Sequence, residues 1–257
     1  MTIKVYGLLA LVSTACLQVA ATVPLCAFEP PGAVANAVAK KESSEQPPPR
    51  THYLGRKIAI TMHYTGAPWL VRESREREED CNALLKALKL KPGQTVCDLG
   101  CGNGFYALRI APLVAPGGKV LGVDIQPEML RLLRERAKVA NIDNIVPVLG
   151  TLSDPKLPTG KVDLMLCIDA YHEFSHPVYM LRAIRKSLAP GGRLVLAEFR
   201  EEDPKVPIKP LHKMSKKQVL KELVPNGFRL VEQYDGLPWQ HLMFFARDED
   251  WQEPATD

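Results

Sequence analysis

The chain has 257 residues, of which 46% are hydrophobic and 24% are charged, so it is long enough to bury a full core. We therefore expect one main domain with appendages. The formal net charge of +4 is small, and no basic stripe is interleaved with aromatic residues. This pattern argues against nucleic acid as a partner.

The first residues are predicted to be a targeting segment. Lys4 places a positive charge before an apolar stretch, and the small residues of Val19-Ala20-Ala21 are typical of a cleavage site. These features predict a signal peptide over 1–27 and export to the periplasm or the medium. An uncleaved membrane anchor is the alternative, because the apolar stretch that starts at Val5 and ends at Phe28 is long enough to span a bilayer.

A linker and a cap are predicted next. Residues 28–50 are rich in proline and small polar residues, which indicates a linker without a core. Residues 51–90 are predicted to form a helical cap, with Ile58, Ala59 and Met62 on one face of a short helix. From Arg72 to Asp80 both charge signs alternate densely, which favours a solvated helix face.

A glycine-rich turn follows the cap. Thr95 to Leu99 is an apolar run that contains Asp98 and leads into Gly100, Gly102 and Gly104. The pattern predicts a strand, a tight turn and a helix. Glycines remove side chains where a ligand approaches the backbone, and the N–H groups of the new helix point at that ligand.

A second strand ends in an acid at a distance that suits nucleoside binding. Lys119 to Asp124 is short, apolar and preceded by a Pro-Gly-Gly turn. Asp124 lies about twenty residues beyond the glycines, where a carboxylate accepts hydrogen bonds from a ribose diol. The two strands therefore predict a nucleoside-binding βαβ unit.

The remaining elements alternate between helix and strand. Predicted helices cover 126–140, 178–188 and 215–223, and predicted strands cover 145–149, 161–168, 193–199, 228–234 and 242–246. The strand over 161–168 leads into Asp169, Tyr171, His172 and Glu173, at the sheet edge where open α/β sheets bind ligands. A capped turn before the next helix is the alternative interpretation of this segment.

The chain segment Asp98-Leu99-Gly100-Cys101-Gly102-Asn103-Gly104, with Asp124, resembles the first two motifs of class I S-adenosylmethionine-dependent methyltransferases. Within them it is most similar to the type 11 group, which includes the ubiquinone/menaquinone-biosynthesis and arsenite methyltransferases. The resemblance implies a Rossmann-like, mostly parallel α/β sheet of seven strands, with helices on both faces and a C-terminal antiparallel hairpin. It places the methyltransferase domain at 91–247 and a tail at 248–257.

The resemblance also implies S-adenosylmethionine as the cofactor. The carboxylate that meets the adenine amino group would be Asp154, although an Asx turn is an equal alternative and Leu152 could instead pack on the base. The implied cofactor-binding residues are Asp98, Gly100, Cys101, Gly102, Gly104, Asp124, Ile125, Leu152, Asp154 and Asp169.

The catalytic residues implied by the resemblance follow the fourth strand. Methyl transfer from a sulfonium requires alignment and desolvation. For a hydroxyl or an acidic carbon acceptor, His172 is the expected base, because imidazole titrates near neutrality. Tyr171, Glu173 and Asp169 are expected beside it. If the cap covers the site, the acceptor would meet Trp69, Arg72 and Arg75, together with Tyr171, His172 and, from the loop over 201–214, His212.

The cysteines are expected to be small packed hydrophobes. Cys97 and Cys101 flank a glycine at a strand end without a second ligand pair, so we expect no metal site. Two further interpretations compete with a methyltransferase. A nicotinamide oxidoreductase is disfavoured by the G-x-G-x-G spacing and by the closing hairpin. A secreted binding protein without turnover is consistent with export, because S-adenosylmethionine is made in the cytoplasm.

Overall fold

A computed structural model describes residues 48–252. The predicted signal peptide or anchor at 1–27 lies outside the described residues, as do most of the linker and the last five residues of the tail. Within 48–252, no helix is both long and apolar enough to cross a bilayer.

The segment before the central sheet begins with extended chain. Strands β1 (His52–Tyr53) and β2 (Arg56–Lys57) form a small antiparallel pair. A 3-10 helix (Tyr64–Val71), α1 (Arg75–Glu79) and α2 (Cys81–Ala87) follow. We call residues 51–90 the cap.

The short helix expected from Ile58, Ala59 and Met62 was a wrong prediction. Their backbone amides donate to distant acceptors: Ile58 to the Thr51 carbonyl, Ala59 to the His172 carbonyl and Met62 to the Glu173 carboxylate. A segment whose N–H groups are used in this way cannot form the hydrogen bonds of a helix. Apolar spacing alone does not show this competition.

The central sheet confirms the predicted Rossmann-like class. The elements in chain order are β3 (Thr95–Leu99), α3 (Phe105–Val114), β4 (Lys119–Asp124), α4 (Pro127–Val139), β5 (Ile145–Leu149), β6 (Val162–Ile168), α5 (Pro177–Ser187), β7 (Leu188–Arg200), β8 (Lys213–Met214), α6 (Lys216–Leu223), β9 (Phe228–Tyr234) and β10 (Gln240–Arg247). The strand order is β5-β4-β3-β6-β7-β10-β9. β10 runs antiparallel to both β7 and β9, which gives the expected closing hairpin.

The sheet of the described chain has eight strands, whereas seven were predicted. The added strand is β8, which pairs in parallel with Phe199 and Arg200 at the end of β7. A two-residue strand has no periodicity, so a sequence pattern cannot reveal it.

Apolar residues pack on both faces of the sheet. Leu84, Ile110 and Leu133 come from α2, α3 and α4 and share one core cluster with β3, β6 and β7. Leu181 and Val219 come from α5 and α6 and lie in the second cluster. The strands β4 and β5 extend the sheet on one side of β3, and β6 and β7 extend it on the other side. The direction in which strands are added therefore reverses between β3 and β6. Open α/β sheets bind their ligands at such a point.

Candidate active site

The glycine turn between β3 and α3 is left-handed at each of its three glycines. The φ angles of Gly100, Gly102 and Gly104 are 76°, 53° and 81°. A Cβ on Gly102 would lie 2.5 Å from Cδ1 of Leu70, and one on Gly104 would overlap Cδ1 of Leu133. The turn therefore requires glycine for its conformation, for the close approach of the cap at Gly102 and for that of α4 at Gly104.

Asp124 holds this turn. One of its carboxylate oxygens accepts a hydrogen bond from the Gly102 N–H at 2.9 Å, and the other accepts one from the Gln126 N–H at 2.9 Å. Burial raises the pKa of Asp124. Its carboxylate thus joins the end of β4 to the glycine turn and lies on the wall of a cavity.

The cavity has a volume of about 560 Å³ and opens along the carboxyl ends of the parallel strands. This volume is typical of small-molecule sites. Six of the predicted cofactor-binding residues line it, namely Gly100, Gly102, Asp124, Ile125, Leu152 and Asp169. So do six further residues predicted for catalysis or for the acceptor, namely Trp69, Arg72, Arg75, His172, Glu173 and His212.

Two predicted site residues lie behind the cavity wall. The Tyr171 side chain is fully buried, and its hydroxyl donates to Glu222 at 2.9 Å. The structure therefore does not bring Tyr171 to an acceptor. Cys101 is buried, and its thiol contacts the Gly102 carbonyl. Burial raises the pKa of this thiol well above its ordinary value, so it stays protonated.

Asp154 is also outside the cavity. Its carboxylate accepts hydrogen bonds from the Lys156 backbone N–H at 2.7 Å and from the Lys156 ammonium at 3.0 Å. This is the Asx-turn alternative, in which the side chain serves its own loop. Thr151 and Leu152, from the same loop, line the cavity in its place.

Asp169 offers an unused acceptor at the cavity wall. One of its oxygens accepts from the Gln240 amide at 2.7 Å, and the other is buried without a partner among the described residues. Burial raises its pKa well above its ordinary value, and the charges of Glu79 and Glu198 act in the same direction. A ligand with an N–H donor, such as the amino group of S-adenosylmethionine, would satisfy the free oxygen.

A histidine next to Asp169 is fixed by a buried carboxylate. His172 Nδ1 lies 2.7 Å from Oε2 of Glu198, whose Oε1 accepts the Tyr171 N–H at 2.9 Å. Burial alone would lower the pKa of His172, but Glu198 raises it above its ordinary value. Glu198 was absent from the predicted site residues, although its place at the ligand end of β7 was visible in the sequence.

Two further groups surround the outer nitrogen of His172. Its Nε2 lies 3.0 Å from His212 Nδ1 and 3.9 Å from Oε1 of Glu173. Burial raises the pKa of Glu173 to about 7. Burial and the neighbouring His172 lower the pKa of His212.

The charged run of the cap has one buried and one solvated side. Arg75 and Glu79 are buried, whereas Glu73 and Arg77 are exposed as the alternation of charges predicted. Glu79 is 1% exposed and accepts from Arg75 at 2.8 Å and from Arg72 at 2.6 Å. The Arg72 guanidinium lies 3.8 Å from the centre of the Trp69 ring. The cap thus presents a paired set of charges and one aromatic ring to the cavity.

Hydrogen bonds hold the cap to the elements that form the cavity floor. The Asn103 amide in the glycine turn donates to the Ala67 carbonyl at 3.0 Å. The Gln126 amide donates to the Met62 carbonyl and accepts from the Tyr64 N–H. These hydrogen bonds join the cap to the glycine turn and to the start of α4, which both border the cavity.

Asp98 and Gly104 are also outside the cavity lining. Asp98 lies beneath the glycine turn, where the Ala107 N–H donates to it. Burial raises the pKa of Asp98 to about 7; Asp124 acts in the same direction, and Arg75 opposes it. Asp98, directly below the glycine turn, is therefore expected to change its charge near neutral pH.

The free energy of unfolding of Asp98→Asn is expected to rise relative to that of the unaltered protein as the pH increases. A folded-state pKa above the unfolded one means that the proton bound to Asp98 stabilises the fold below about pH 4, and that this contribution is lost as pH rises through 7. Asparagine does not titrate, so the difference in unfolding free energy should grow by up to about 4 kcal/mol between pH 4 and pH 8. Urea unfolding of the cofactor-free proteins measures it.

The control for this comparison is Asp143→Asn, because Asp143 is exposed. The difference in unfolding free energy between Asp143→Asn and the unaltered protein should not change across the same pH range. A flat difference for Asp98→Asn as well would show that Asp98 ionises normally in the fold.

Comparison with known proteins is consistent with this geometry. A family model described as "Methyltransferase domain" matches residues 90–248. A demethylmenaquinone methyltransferase of Staphylococcus carnosus is 26% identical over 170 residues, which cover 65% of this chain and 68% of that protein. An uncharacterized 37.1 kDa protein in transposon TN4556 of Streptomyces fradiae is 33% identical over 117 residues, 46% of this chain and 33% of that protein.

Solved structures share the fold. A SAM-dependent methyltransferase from Aquifex aeolicus superposes with a TM-score of 0.68 at 24% identity, covering 72% of this chain and 98% of the other.

The chain spans about half of the length of several curated relatives, such as the demethylmenaquinone methyltransferases of Listeria. The family match covers more than half of the chain, and the chain therefore belongs to the class I S-adenosylmethionine-dependent methyltransferases, in which it is similar to the type 11 group.

Proposed function

We propose that the chain transfers the methyl group of S-adenosylmethionine to a small-molecule acceptor that binds beneath the cap. One observation carries the proposal: the glycine turn lines the same cavity as His172, Glu173 and His212. A cofactor held by Gly102 and Asp124 and an acceptor held beside His172 would therefore share one enclosed volume. S-adenosylmethionine supplies a methyl group on a sulfonium that is already activated.

The chain's own residues would position this cofactor. Asp124 would accept hydrogen bonds from the ribose hydroxyls, and Ile125 and Leu152 would pack against the base. The free oxygen of Asp169 would accept from the amino group. These contacts fix one end of the cavity and leave the His172 end for the acceptor.

The acceptor side supports a small molecule with an apolar part. Trp69, Phe174, Phe199 and Met180 line this cavity, and the cap covers it. Of the two aromatic residues predicted from the sequence to meet the acceptor, Trp69 lines the cavity and Tyr171 does not. The curated relatives named as demethylmenaquinone methyltransferases favour an acceptor of the small-molecule class.

The reaction requires alignment and exclusion of water more than acid catalysis. The acceptor atom forms a bond to the methyl carbon while the carbon–sulfur bond breaks, and S-adenosylhomocysteine leaves. The acceptor loses its proton to water. His172, held by Glu198 and facing the cavity with Nε2, is placed to orient the acceptor during this step.

His172→Gln is expected to lower methyl transfer at least about 100-fold and to leave affinity for S-adenosylhomocysteine within about threefold. The measurement uses methyl-labelled S-adenosylmethionine with small phenols and alcohols, followed by chromatography of the labelled products. His52→Gln is the matched control, because His52 is exposed on β1. Tight binding without any label transfer to acceptors would show a binding protein instead of an enzyme.

Export remains a proposal that rests on the sequence of 1–27. The positive charge, the apolar stretch and the small residues near its end support a cleaved signal peptide. Mass determination of the N-terminus of the expressed protein distinguishes a cleaved signal peptide from an uncleaved segment that associates with a membrane.

A further inference from the structure

The outer nitrogen of His172 belongs to a cluster that lacks any assigned ligand. His172 Nε2, His212 Nδ1 and a carboxylate oxygen of Glu173 all lie within 4.8 Å of one another. The two histidines come from different segments, one after β6 and one from the 3-10 helix Pro210–His212 before β8. All three residues line the cavity.

We propose that His172, His212 and Glu173 bind a divalent transition-metal ion at the acceptor end of the cavity. Metal–nitrogen and metal–oxygen bonds of about 2.0–2.2 Å place neighbouring ligand atoms about 3 Å apart in octahedral geometry and about 3.4 Å apart in tetrahedral geometry. The two histidine nitrogens are 3.0 Å apart, which matches the octahedral spacing. The Glu173 oxygen lies 3.9 Å from His172 Nε2, so a change of its rotamer would complete the set.

Glu198 prepares His172 for this role. Oε2 of Glu198 lies 2.7 Å from Nδ1 of His172 and would accept a hydrogen from it, which leaves Nε2 as the nitrogen on the cavity side that can bind an ion. Metal-binding histidines commonly donate their second nitrogen to a carboxylate in this way. The backbone at His172 is also held, because Arg56 donates to the His172 carbonyl at 2.7 Å.

The ligand set indicates the class of ion. Two imidazole nitrogens with one carboxylate suit Zn²⁺, Mn²⁺, Fe²⁺ or Co²⁺, whereas Mg²⁺ and Ca²⁺ prefer oxygen ligands. Three protein ligands leave further coordination positions open towards the cavity. The sequence did not predict this site, because His212 lies forty residues from His172 in a segment that was predicted to be a loop.

The role of the ion rests on the proposed function. A bound ion would take an acceptor oxygen as its next ligand and favour the loss of the hydroxyl proton to water. The oxygen then forms a bond to the methyl carbon, the carbon–sulfur bond breaks, and neutral S-adenosylhomocysteine leaves. The substrate class is therefore a small molecule with a hydroxyl oxygen beside an apolar body.

The test measures Co²⁺ binding to the full-length protein after treatment with a chelator. We expect one Co²⁺ per chain, with absorption bands in the visible range, and displacement by Zn²⁺ but not by Mg²⁺. His212→Gln and Glu173→Gln should each lower Co²⁺ affinity at least tenfold. His52→Gln is the matched control for loss of one histidine and should bind Co²⁺ as the unaltered protein does.

Titration with S-adenosylhomocysteine separates the two proposals. All of these variants should bind it within about threefold of the unaltered protein, which also shows that they are folded. Co²⁺ affinity that is unchanged in both His212→Gln and Glu173→Gln, or no Co²⁺ binding at all, would overturn the metal site while leaving the proposed function intact. Co²⁺ binding without affinity for S-adenosylhomocysteine would support the metal site and overturn the proposed function.

Discussion

Replacing Arg56 with methionine is expected to lower the free energy of unfolding by about 3–5 kcal/mol. The Arg56 guanidinium makes two hydrogen bonds to the Glu222 carboxylate, at 2.7 and 3.0 Å. Glu222 is fully buried, so removal of its cation leaves an uncompensated charge in the core. Urea unfolding measures the loss.

Lys57→Met is the matched control, since Lys57 is the exposed neighbour of Arg56 on β2. It should change stability by no more than about 0.5 kcal/mol. Adding Glu222→Gln to Arg56→Met should recover much of the loss, because the neutral amide still accepts from Tyr171. A loss below about 1 kcal/mol for Arg56→Met alone would show that the pair is not buried as described.

Replacing Asp124 with alanine is expected to weaken binding of S-adenosylhomocysteine by about 2–4 kcal/mol, roughly 30- to 1,000-fold. The carboxylate would accept hydrogen bonds from the ribose, and it also holds the Gly102 N–H in the turn. Alanine removes both contacts. Isothermal titration calorimetry measures the affinity.

Asp154→Ala is the matched control for Asp124→Ala. Both acids were predicted from the sequence to meet the adenosine, but the structure pairs Asp154 with Lys156. Asp154→Ala should therefore keep affinity within about twofold. Equal losses in the two variants would contradict the placement of the cofactor along Asp124.

The sheet was predictable because its strands are short apolar runs between turn residues. β5 and β9 begin and end where the pattern placed them, and α6 begins after Ser215, whose side chain accepts from the Gln218 N–H. The edge that carries the site was also predictable, because parallel strands end together. Local pattern and fold agree in this part of the chain.

The cap was less predictable because long-range pairs decide its burial. Alternating charges from Arg72 to Asp80 are typical of a solvated helix. In the structure the Arg75 guanidinium lies 4.3 Å from the centre of the Phe105 ring and pairs with Glu79, so both are buried. A linear pattern contains no information about a partner on another helix.

The sequence predicted where the site residues lie along the chain better than it predicted which partners their side chains contact. Neighbours in the 3-10 helix Tyr171–Glu173 point in different directions, so His172 and Glu173 reach the cavity and Tyr171 bonds to Glu222. His212 and Glu198 reach His172 from segments that only the folded chain brings together. Spacing along the sequence cannot show these contacts.

Calorimetric titration of the unaltered protein with S-adenosylhomocysteine, at two temperatures, tests the central claim most directly. The account predicts saturable binding of one molecule per chain, with a negative heat-capacity change from burial of apolar surface. NAD should give no saturable heat under the same conditions. The absence of saturable heat from S-adenosylhomocysteine at both temperatures would contradict the assignment of this cavity to the cofactor.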